Sequence, residues 1–217
     1  MAIVTVDFDG TLYQGNSFKV MFEVGKKTFT AKQWGILSVG LMKAIAVSPK
    51  GKTSFKHQFF KAFAKTFKGK TNAEMELFFQ QLVDIGILDV NKQLVEQIVE
   101  HQRNGDTVIV LSGALHPFLM AFTKELQLEV HVISTELLFD SNGLCTGEIG
   151  QIINGDEKVK KVQAWVESEQ ASSDDIWAYA DSESDIPLLN YVHHPVVVNP
   201  DDDMKVIADQ NKWPIFA

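Results

Sequence analysis

Cysteine and arginine are almost absent from this sequence of 217 residues, since each occurs once, as Cys145 and Arg103. A single cysteine excludes an intramolecular disulfide and fits a reducing compartment. We interpret Cys145 as an inert small residue in a turn rather than as a catalytic thiol. The first residues, Met1–Val4, show neither a basic segment nor a cleavage-site pattern. No secretory signal is therefore predicted, and we expect a cytoplasmic protein.

Long hydrophobic runs are also scarce. The main candidate, Trp34–Val47, is interrupted by Lys43. As a helix that rises ~1.5 Å per residue it would be about 21 Å long, shorter than the ~30 Å hydrocarbon core of a bilayer. The run therefore predicts no stable membrane span. A buried helix is the favoured interpretation, and contact with a membrane surface is the alternative.

The charge of the chain is unevenly distributed. The net charge is -8, yet residues 15–85 contain twelve lysines and only four acidic residues. Such an asymmetry indicates two structural units, one inserted in the other. The basic unit would attract anions such as a phosphorylated substrate, although solvated lysines on helix faces are the commoner explanation. Nucleic acid is not a predicted partner, because the lysines lack interleaved arginines and the overall charge is negative. No oligomeric state is predicted.

Apolar periodicity predicts four helices between residues 17 and 86, which would form a small bundle. Turn formers separate them at Ser48–Gly51 and at Gly69–Asn72, where Thr71 or Asn72 is a candidate N-cap. The third helix carries an aromatic stripe that favours the bundle core, although its edge could line a pocket. The members of the stripe are Phe55, Phe59, Phe60, Phe63 and Phe67.

The rest of the chain alternates strands with helices. Alternation of this kind predicts a parallel sheet covered on both faces, with a site at the carboxyl ends of its strands. The predicted strands are Ile3–Val6, Thr107–Leu111, Val130–Ile133, Ile176–Ala180 and Val196–Val198. Turn formers at residues 139–144 predict a β-hairpin.

Polar side chains follow three of these strands. Asp7 and Asp9 follow the first, Ser112 the second and Asp181 a later one. Two carboxylates as close as Asp7 and Asp9 repel each other unless a cation neutralises them, which favours a Mg²⁺ site. Taken alone, an Asp-x-Asp-Gly segment is also typical of a turn or a calcium loop. Combined with the hydroxyl and with Lys158, the carboxylates supply the groups that phosphoryl transfer requires.

The sequence resembles the haloacid dehalogenase-like superfamily in four motifs, which occur in the expected order. These are Asp7–Thr11, Leu111–Gly113, Lys158 and Asp181–Asp185. The helical insert and the hairpin resemble those of the phosphoserine-phosphatase-like subfamily, subclass IB. The resemblance implies an α/β fold with a Rossmann-like parallel sheet. Its core would comprise residues 1–14 and 87–217, with a hairpin at about 137–149, and residues 15–86 would form a helical cap.

The resemblance also implies a role for each acidic residue. Asp7 would be the nucleophile and a Mg²⁺ ligand. Asp9 would be the general acid and then the base, and its backbone carbonyl would bind the metal. Asp181 would be a carboxylate ligand, and Asp185 would either bind the metal through water or orient its neighbours.

Three further residues would hold the phosphoryl oxygens: Ser112, the amide of Gly113, and Lys158. A helix-surface lysine is the alternative for Lys158, because Lys160 and Lys161 lie beside it. The position of Lys158 shortly after Gly155 favours the site. For Ser112 the alternative is an ordinary turn hydroxyl.

Phosphoserine is not the expected substrate. In phosphoserine phosphatases, a cap arginine and a glutamate nine residues after the nucleophile bind the serine moiety, but here that position is Asn16 and the single arginine falls in the core part. A lysine does not replace a bidentate arginine clamp. The phenylalanine-rich helices with scattered lysines favour a less polar or otherwise anionic phosphomonoester. His57 and His116 are favoured as surface or core-satisfied histidines, and the alternative for each is that it reaches the site.

These observations favour a Mg²⁺-dependent phosphatase that hydrolyses a small phosphomonoester through an aspartyl-phosphate. A phosphotransferase that uses the same intermediate is the first alternative. A non-catalytic phosphate-binding protein of the same fold is the second.

Overall fold

The computed structural model describes residues 1–47, 52–172 and 174–217. Its strands are β1 (Ile3–Val6), β2 (Thr107–Leu115), β3 (His131–Thr135), β4 (Leu137–Phe139), β5 (Cys145–Ile149), β6 (Ile176–Ala180), β7 (His194–Val198) and β8 (Ile215–Phe216). Its helices are α1 (Ser17–Thr28), α2 (Ala31–Val47), α3 (Lys52–Ala64), α4 (Asn72–Gly86), α5 (Lys92–Arg103), α6 (His116–Glu125), α7 (Asp156–Ser168), α8 (Ile186–Tyr191) and α9 (Asp202–Asn211). Short 3₁₀ turns occur at Lys65–Phe67, Ile87–Asp89 and Glu183–Asp185.

Six strands form one parallel sheet in the order β3-β2-β1-β6-β7-β8, and β4 pairs with β5 in a separate antiparallel hairpin. In the centre, Val6 of β1 lies opposite Val110 of β2 and Tyr179 of β6. The chain adds β2 and β3 on one side of β1, and then β6, β7 and β8 on the other side. The strand order therefore changes direction at β1, and a crevice forms there at the carboxyl ends of β1, β2 and β6. The predicted α/β fold, parallel sheet and hairpin are confirmed.

Both faces of the sheet are covered. Val4 and Val6 point into one hydrophobic cluster, while Ile3 and Ile109 point into a second cluster on the other face. Successive strand residues point to opposite faces, so a strand buried on both sides needs apolar residues throughout. This need explains the uninterrupted apolar run Ile3–Val6.

The helices α1–α4 lie between β1 and α5, as the sequence predicts. Phe59, Phe63 and Phe67 of the aromatic stripe are almost fully buried, which confirms their assignment to the core. Thr71 is the N-cap of α4, where its side chain and that of Glu74 form a capping box. The predicted turn at residues 48–51 and the side chain of Phe55 lie outside the described residues.

The prediction that residues 34–47 form a buried helix is wrong for most of the side chains described in α2. Leu37 is fully buried, and Gly40 lets α2 approach α3 closely, since a Cβ at Gly40 would lie 2.2 Å from Ala62 Cβ. The opposite face of α2 is exposed: Val39 by 49%, Met42 by 62% and Ile45 by 68%. Burial thus depends on which face of α2 meets α3. Within the described ranges, no helix is long and apolar enough to cross a membrane.

Candidate active site

Three carboxylates meet at the carboxyl edge of the sheet. Asp7 directly follows β1, Asp181 directly follows β6, and Asp185 belongs to the 3₁₀ turn after β6. Because β1 and β6 are paired neighbours, their carboxyl ends bring Asp7 and Asp181 together. Oxygens of all three carboxylates lie within 4.8 Å of one another. Asp7 and Asp185 are buried, with only 8% and 1% of their surface exposed.

A buried lysine bridges two of these carboxylates. Lys158 lies in the first turn of α7 and is 2% exposed. Its Nζ lies 2.7 Å from Asp7 Oδ1 and 2.5 Å from Asp185 Oδ1. Burial disfavours the ammonium, but the charges of Asp185 and Asp7 outweigh burial and raise the pKa of Lys158. The alternative of a helix-surface lysine is therefore wrong; Lys160 is the exposed one.

The carboxylates carry more negative charge than this lysine balances. Burial raises the pKa of Asp7 well above its usual value; Lys158 opposes the shift, and Asp185 and Asp181 add to it. Burial also raises the pKa of Asp181 to about 6, with the charge of Asp185 as the next cause. A divalent cation with a preference for oxygen ligands, such as Mg²⁺, fits this donor set because it would offset the excess charge.

The two residues after Asp9 shape the environment of Asp181. Thr11 is fully buried, and its hydroxyl donates a hydrogen bond to Asp181 Oδ1 at 3.1 Å. Gly10 adopts a φ of +82°, and a Cβ at this position would lie 2.1 Å from Asp181 Oδ2. Glycine is therefore required both by the backbone conformation and by the approach of the carboxylate.

Asp9 is held by the start of the first helix. The backbone N–H of Ser17 donates to Asp9 Oδ1 and its hydroxyl donates to Asp9 Oδ2, both at 2.6 Å. Asn16 fixes this helix start, since its side chain accepts a hydrogen bond from the N–H of Phe18 as the N-cap of α1. The sequence analysis does not identify Ser17 as a site residue. The signal that could have identified it is the predicted helix start, which lies eight residues after Asp9.

Ser112 and Gly113 lie where β2 becomes irregular. The register with β3 shifts between Ser112 and Leu115, so the predicted end of the strand at Leu111 is extended by a distorted segment. Within it, Ser112 Oγ accepts a hydrogen bond from the N–H of Ala114 at 3.2 Å. A bulge of this kind redirects side chains near a site.

A cavity of about 170 Å³ opens onto these groups. Six of the seven predicted site residues line it: Asp7, Asp9, Ser112, Gly113, Lys158 and Asp181. Asp185 is not in the lining and contacts Lys158 instead. The cavity also includes His57 and Phe60 of α3, so the edge of the aromatic stripe does reach a pocket.

The two histidines considered from the sequence differ in position. His116 is satisfied by Ser134, whose Oγ lies 2.9 Å from its Nδ1, as expected. His57 lines the cavity, and its buried Nε2 has no hydrogen-bond partner among the described residues, so the favoured interpretation is wrong and the alternative, that His57 reaches the site, applies. Arg103 ends α5 and is not in the cavity lining.

Comparisons with known proteins concern the family and the fold. A family model of haloacid dehalogenase-like hydrolases matches residues 4–190. A histidinol-phosphatase of Neisseria meningitidis is 29% identical over 143 residues, which cover 64% of this chain and 63% of that protein. The chain spans about half the length, 47%, of the first curated relatives that it matches.

Two solved structures share the fold. A protein of unknown function from Bordetella pertussis has a TM-score of 0.82 at 19% identity, with 100% of this chain and 98% of that chain covered. A probable phosphoserine phosphatase from Vibrio cholerae has a TM-score of 0.68 at 16% identity, with 94% and 58% covered.

Proposed function

Since this chain belongs to the haloacid dehalogenase-like hydrolase family, we propose that it is a Mg²⁺-dependent phosphatase that hydrolyses a small phosphomonoester through a phosphorylated Asp7. The observation that carries the proposal is the convergence of Asp7, Asp181 and Asp185 within 4.8 Å beside a buried lysine. Buried charges that are incompletely balanced are costly for stability. Such a cluster is suited to binding a metal and a phosphoryl group.

The metal would be held by Asp7, Asp181 and the backbone carbonyl of Asp9. Asp185 would act through Lys158, which it contacts, or through a water molecule. Bound Mg²⁺ would offset the charge of the carboxylates and polarise the phosphoryl group. Gly10 leaves the space that the Asp181 carboxylate occupies, and the Thr11 hydroxyl donates a hydrogen bond to that carboxylate.

In the first step Asp7 attacks phosphorus and the bond to the leaving alcohol breaks. Lys158 holds Asp7 Oδ1 at 2.7 Å, which orients the carboxylate. The ammonium also offers charge to the phosphoryl oxygens, with Ser112 and the Gly113 amide as further donors. The product of this step is an aspartyl-phosphate on Asp7 and a free alcohol.

Asp9 is the general acid in the first step and the general base in the second. It gives a proton to the leaving oxygen, and then takes one from the water that attacks the aspartyl-phosphate and releases inorganic phosphate. The Ser17 N–H can only donate to Oδ1, whereas the Ser17 hydroxyl can either donate or accept. We therefore place the transferred proton on Asp9 Oδ2, where the hydroxyl suits both protonation states.

The proposal also divides the chain into a core and a cap. Residues 1–14 and 87–217 would form the core, and residues 15–86 a cap that supplies Ser17, His57 and Phe60 to the cavity. The substrate would be a small phosphorylated molecule. The single cysteine fits a cytoplasmic location.

The test is phosphate release from p-nitrophenyl phosphate in the presence of Mg²⁺ or a chelator. The wild type should release phosphate only with Mg²⁺, and Asp7→Asn should reduce release to background. Asp209→Asn is the matched control, because Asp209 is exposed on α9. A phosphotransferase would instead yield a new phosphoester when glycerol is added as acceptor. Folded wild-type protein that releases no phosphate with Mg²⁺ would contradict the proposal.

A further inference from the structure

His57 lies in the proposed cap and lines the cavity. Its ring belongs to α3, and its Nε2 is buried with no hydrogen-bond partner among the described residues. Buried polar atoms in folded proteins are nearly always paired, and an orphan at a site calls for an explanation. Because His57 and Asp7 line the same cavity, this nitrogen is available to the part of the substrate beyond the phosphoryl group.

The surroundings of His57 favour the neutral imidazole. Burial and, next, the charge of Lys61 lower the pKa of His57. A neutral imidazole nitrogen either donates or accepts one hydrogen bond, according to its tautomer. It can therefore pair with a hydroxyl group or an amine, and it offers no full positive charge to a carboxylate.

The remaining wall of the cavity also disfavours a carboxylate. Lys158 is the one cationic side chain among the described lining residues, and it is already bound to Asp7 and Asp185. The Asn16 side-chain oxygen is used as the N-cap of α1. Phe18 and Phe60 supply apolar surface. An anionic leaving group would thus meet acidic side chains without a compensating guanidinium.

The cavity limits the size of the leaving group. Its volume of about 170 Å³ lies below the range of roughly 300–1,000 Å³ of drug-sized ligand pockets. A phosphoryl group and a short alcohol are the ligands that such a space accommodates.

We propose that His57 binds a hydroxyl or amino group of the leaving alcohol, which makes the substrate the phosphomonoester of a small polyol or amino alcohol that lacks a carboxylate. This inference rests on the proposed phosphatase activity and names its substrate class. His57 is the specificity-determining residue in this account, since a site built to pair with a polar group discriminates strongly against analogues that lack it.

The test compares each polar substrate with an analogue that lacks its hydroxyl or amino groups. Phosphoethanolamine is compared with ethyl phosphate, glycerol 1-phosphate with propyl phosphate, and phosphoserine serves as the carboxylate-bearing member. For the wild type we expect kcat/KM to favour one of the polar members over its apolar partner by about 10-fold or more, and over phosphoserine as well. His57→Leu should reduce the ratio of kcat/KM for the polar member to kcat/KM for its apolar partner about 10-fold. His57→Gln should retain part of this preference.

Gln58→Leu is the matched control on the next residue of α3, which does not line the cavity, and it should leave the ratio unchanged. A ratio in His57→Leu equal to that of the wild type would overturn the inference, and so would a preference for phosphoserine.

Calorimetric binding of the same pairs to Asp7→Asn, with and without His57→Leu, separates this inference from the proposed function. Polar esters that bind in a His57-dependent way to a wild-type protein without turnover would support the subsite and contradict the phosphatase. Turnover that does not depend on His57 would support the phosphatase and contradict the subsite.

Discussion

Ser17 holds Asp9 at both carboxylate oxygens, with its N–H 2.6 Å from Oδ1 and its hydroxyl 2.6 Å from Oδ2. Asp9 follows the central strand β1, whereas Ser17 is the first residue of α1. The proposed general acid of the core is therefore tied to the first helix of the proposed cap. A displacement of α1 would alter the orientation of Asp9, which couples the position of the cap to proton transfer.

Ser17→Ala should lower kcat for phosphate release about 10-fold and shift the pH profile of kcat. The hydroxyl is lost from Oδ2 while the backbone N–H remains, and a hydrogen bond to a charged group contributes roughly 1.5–3 kcal/mol. Ser38→Ala on the exposed face of α2 is the control and should behave like the wild type. A Ser17→Ala enzyme with unchanged kcat and pH profile would show that Ser17 does not position Asp9.

Gly10→Ala should abolish Mg²⁺-dependent activity. The new Cβ would lie 2.1 Å from Asp181 Oδ2 and would displace that carboxylate. The positive φ adds strain of about 1–2 kcal/mol. Gly143→Ala is the matched control, because Gly143 has a φ of +75° and no atom within 4 Å of an added Cβ. Both variants should lose similar backbone stability in denaturant unfolding, but Gly143→Ala should retain its activity.

Mg²⁺ should raise the melting temperature of the protein in the absence of substrate. At a concentration ~100 times the Kd, a ligand that binds only the folded state stabilises it by about 2.7 kcal/mol. For a chain of this size each kcal/mol corresponds to about 2–4 °C. Asp181→Asn should lose most of the Mg²⁺ shift, and Asp209→Asn should keep it. Without metal, Asp181→Asn should be at least as stable as the wild type, because a repulsive charge has been removed. A full Mg²⁺ shift in Asp181→Asn would exclude Asp181 as a ligand.

Lys158→Met should be both inactive and strongly destabilised. Its removal leaves Asp7 and Asp185 buried without their cation, and breaking a buried ion pair costs about 3–5 kcal/mol. Lys160→Met, two residues away on α7, removes an exposed lysine and should change the free energy of unfolding by less than about 1 kcal/mol. Equal stability of the two variants would contradict the assigned role of Lys158.

The sheet and most of the candidate site residues are predictable because their signals are local. An apolar run such as Ile3–Val6 followed by Asp7 identifies both a buried strand and the polar group at its end. Lys158 is predictable only with the family motif, since its neighbours Lys160 and Lys161 look alike in the sequence. Its burial depends on the turn that Gly155 forms before α7, with a φ of +56°.

The remaining features depend on contacts between distant segments. The apolar composition of α2 indicates burial, but only the face that includes Leu37 meets other helices, and Met42 stays 62% exposed. His57 shares its cavity with residues from the segment after β1, from β2 and from the start of α7, and no pattern around position 57 marks that proximity. Ser17 differs from His57 in having a local signal, because the sequence shows a helix start close to Asp9.

The most direct test is detection of a phosphoryl group on Asp7 itself. Asp9→Asn is expected to slow hydrolysis of the intermediate, so this variant should be mixed with an activated aryl phosphate and Mg²⁺, quenched in acid and digested. We predict that the peptide containing residue 7 gains the mass of one phosphoryl group, and that Asp7→Asn never does. Phosphate release by the wild type without a modified peptide in any quenched sample, or modification at a residue other than Asp7, would contradict the account.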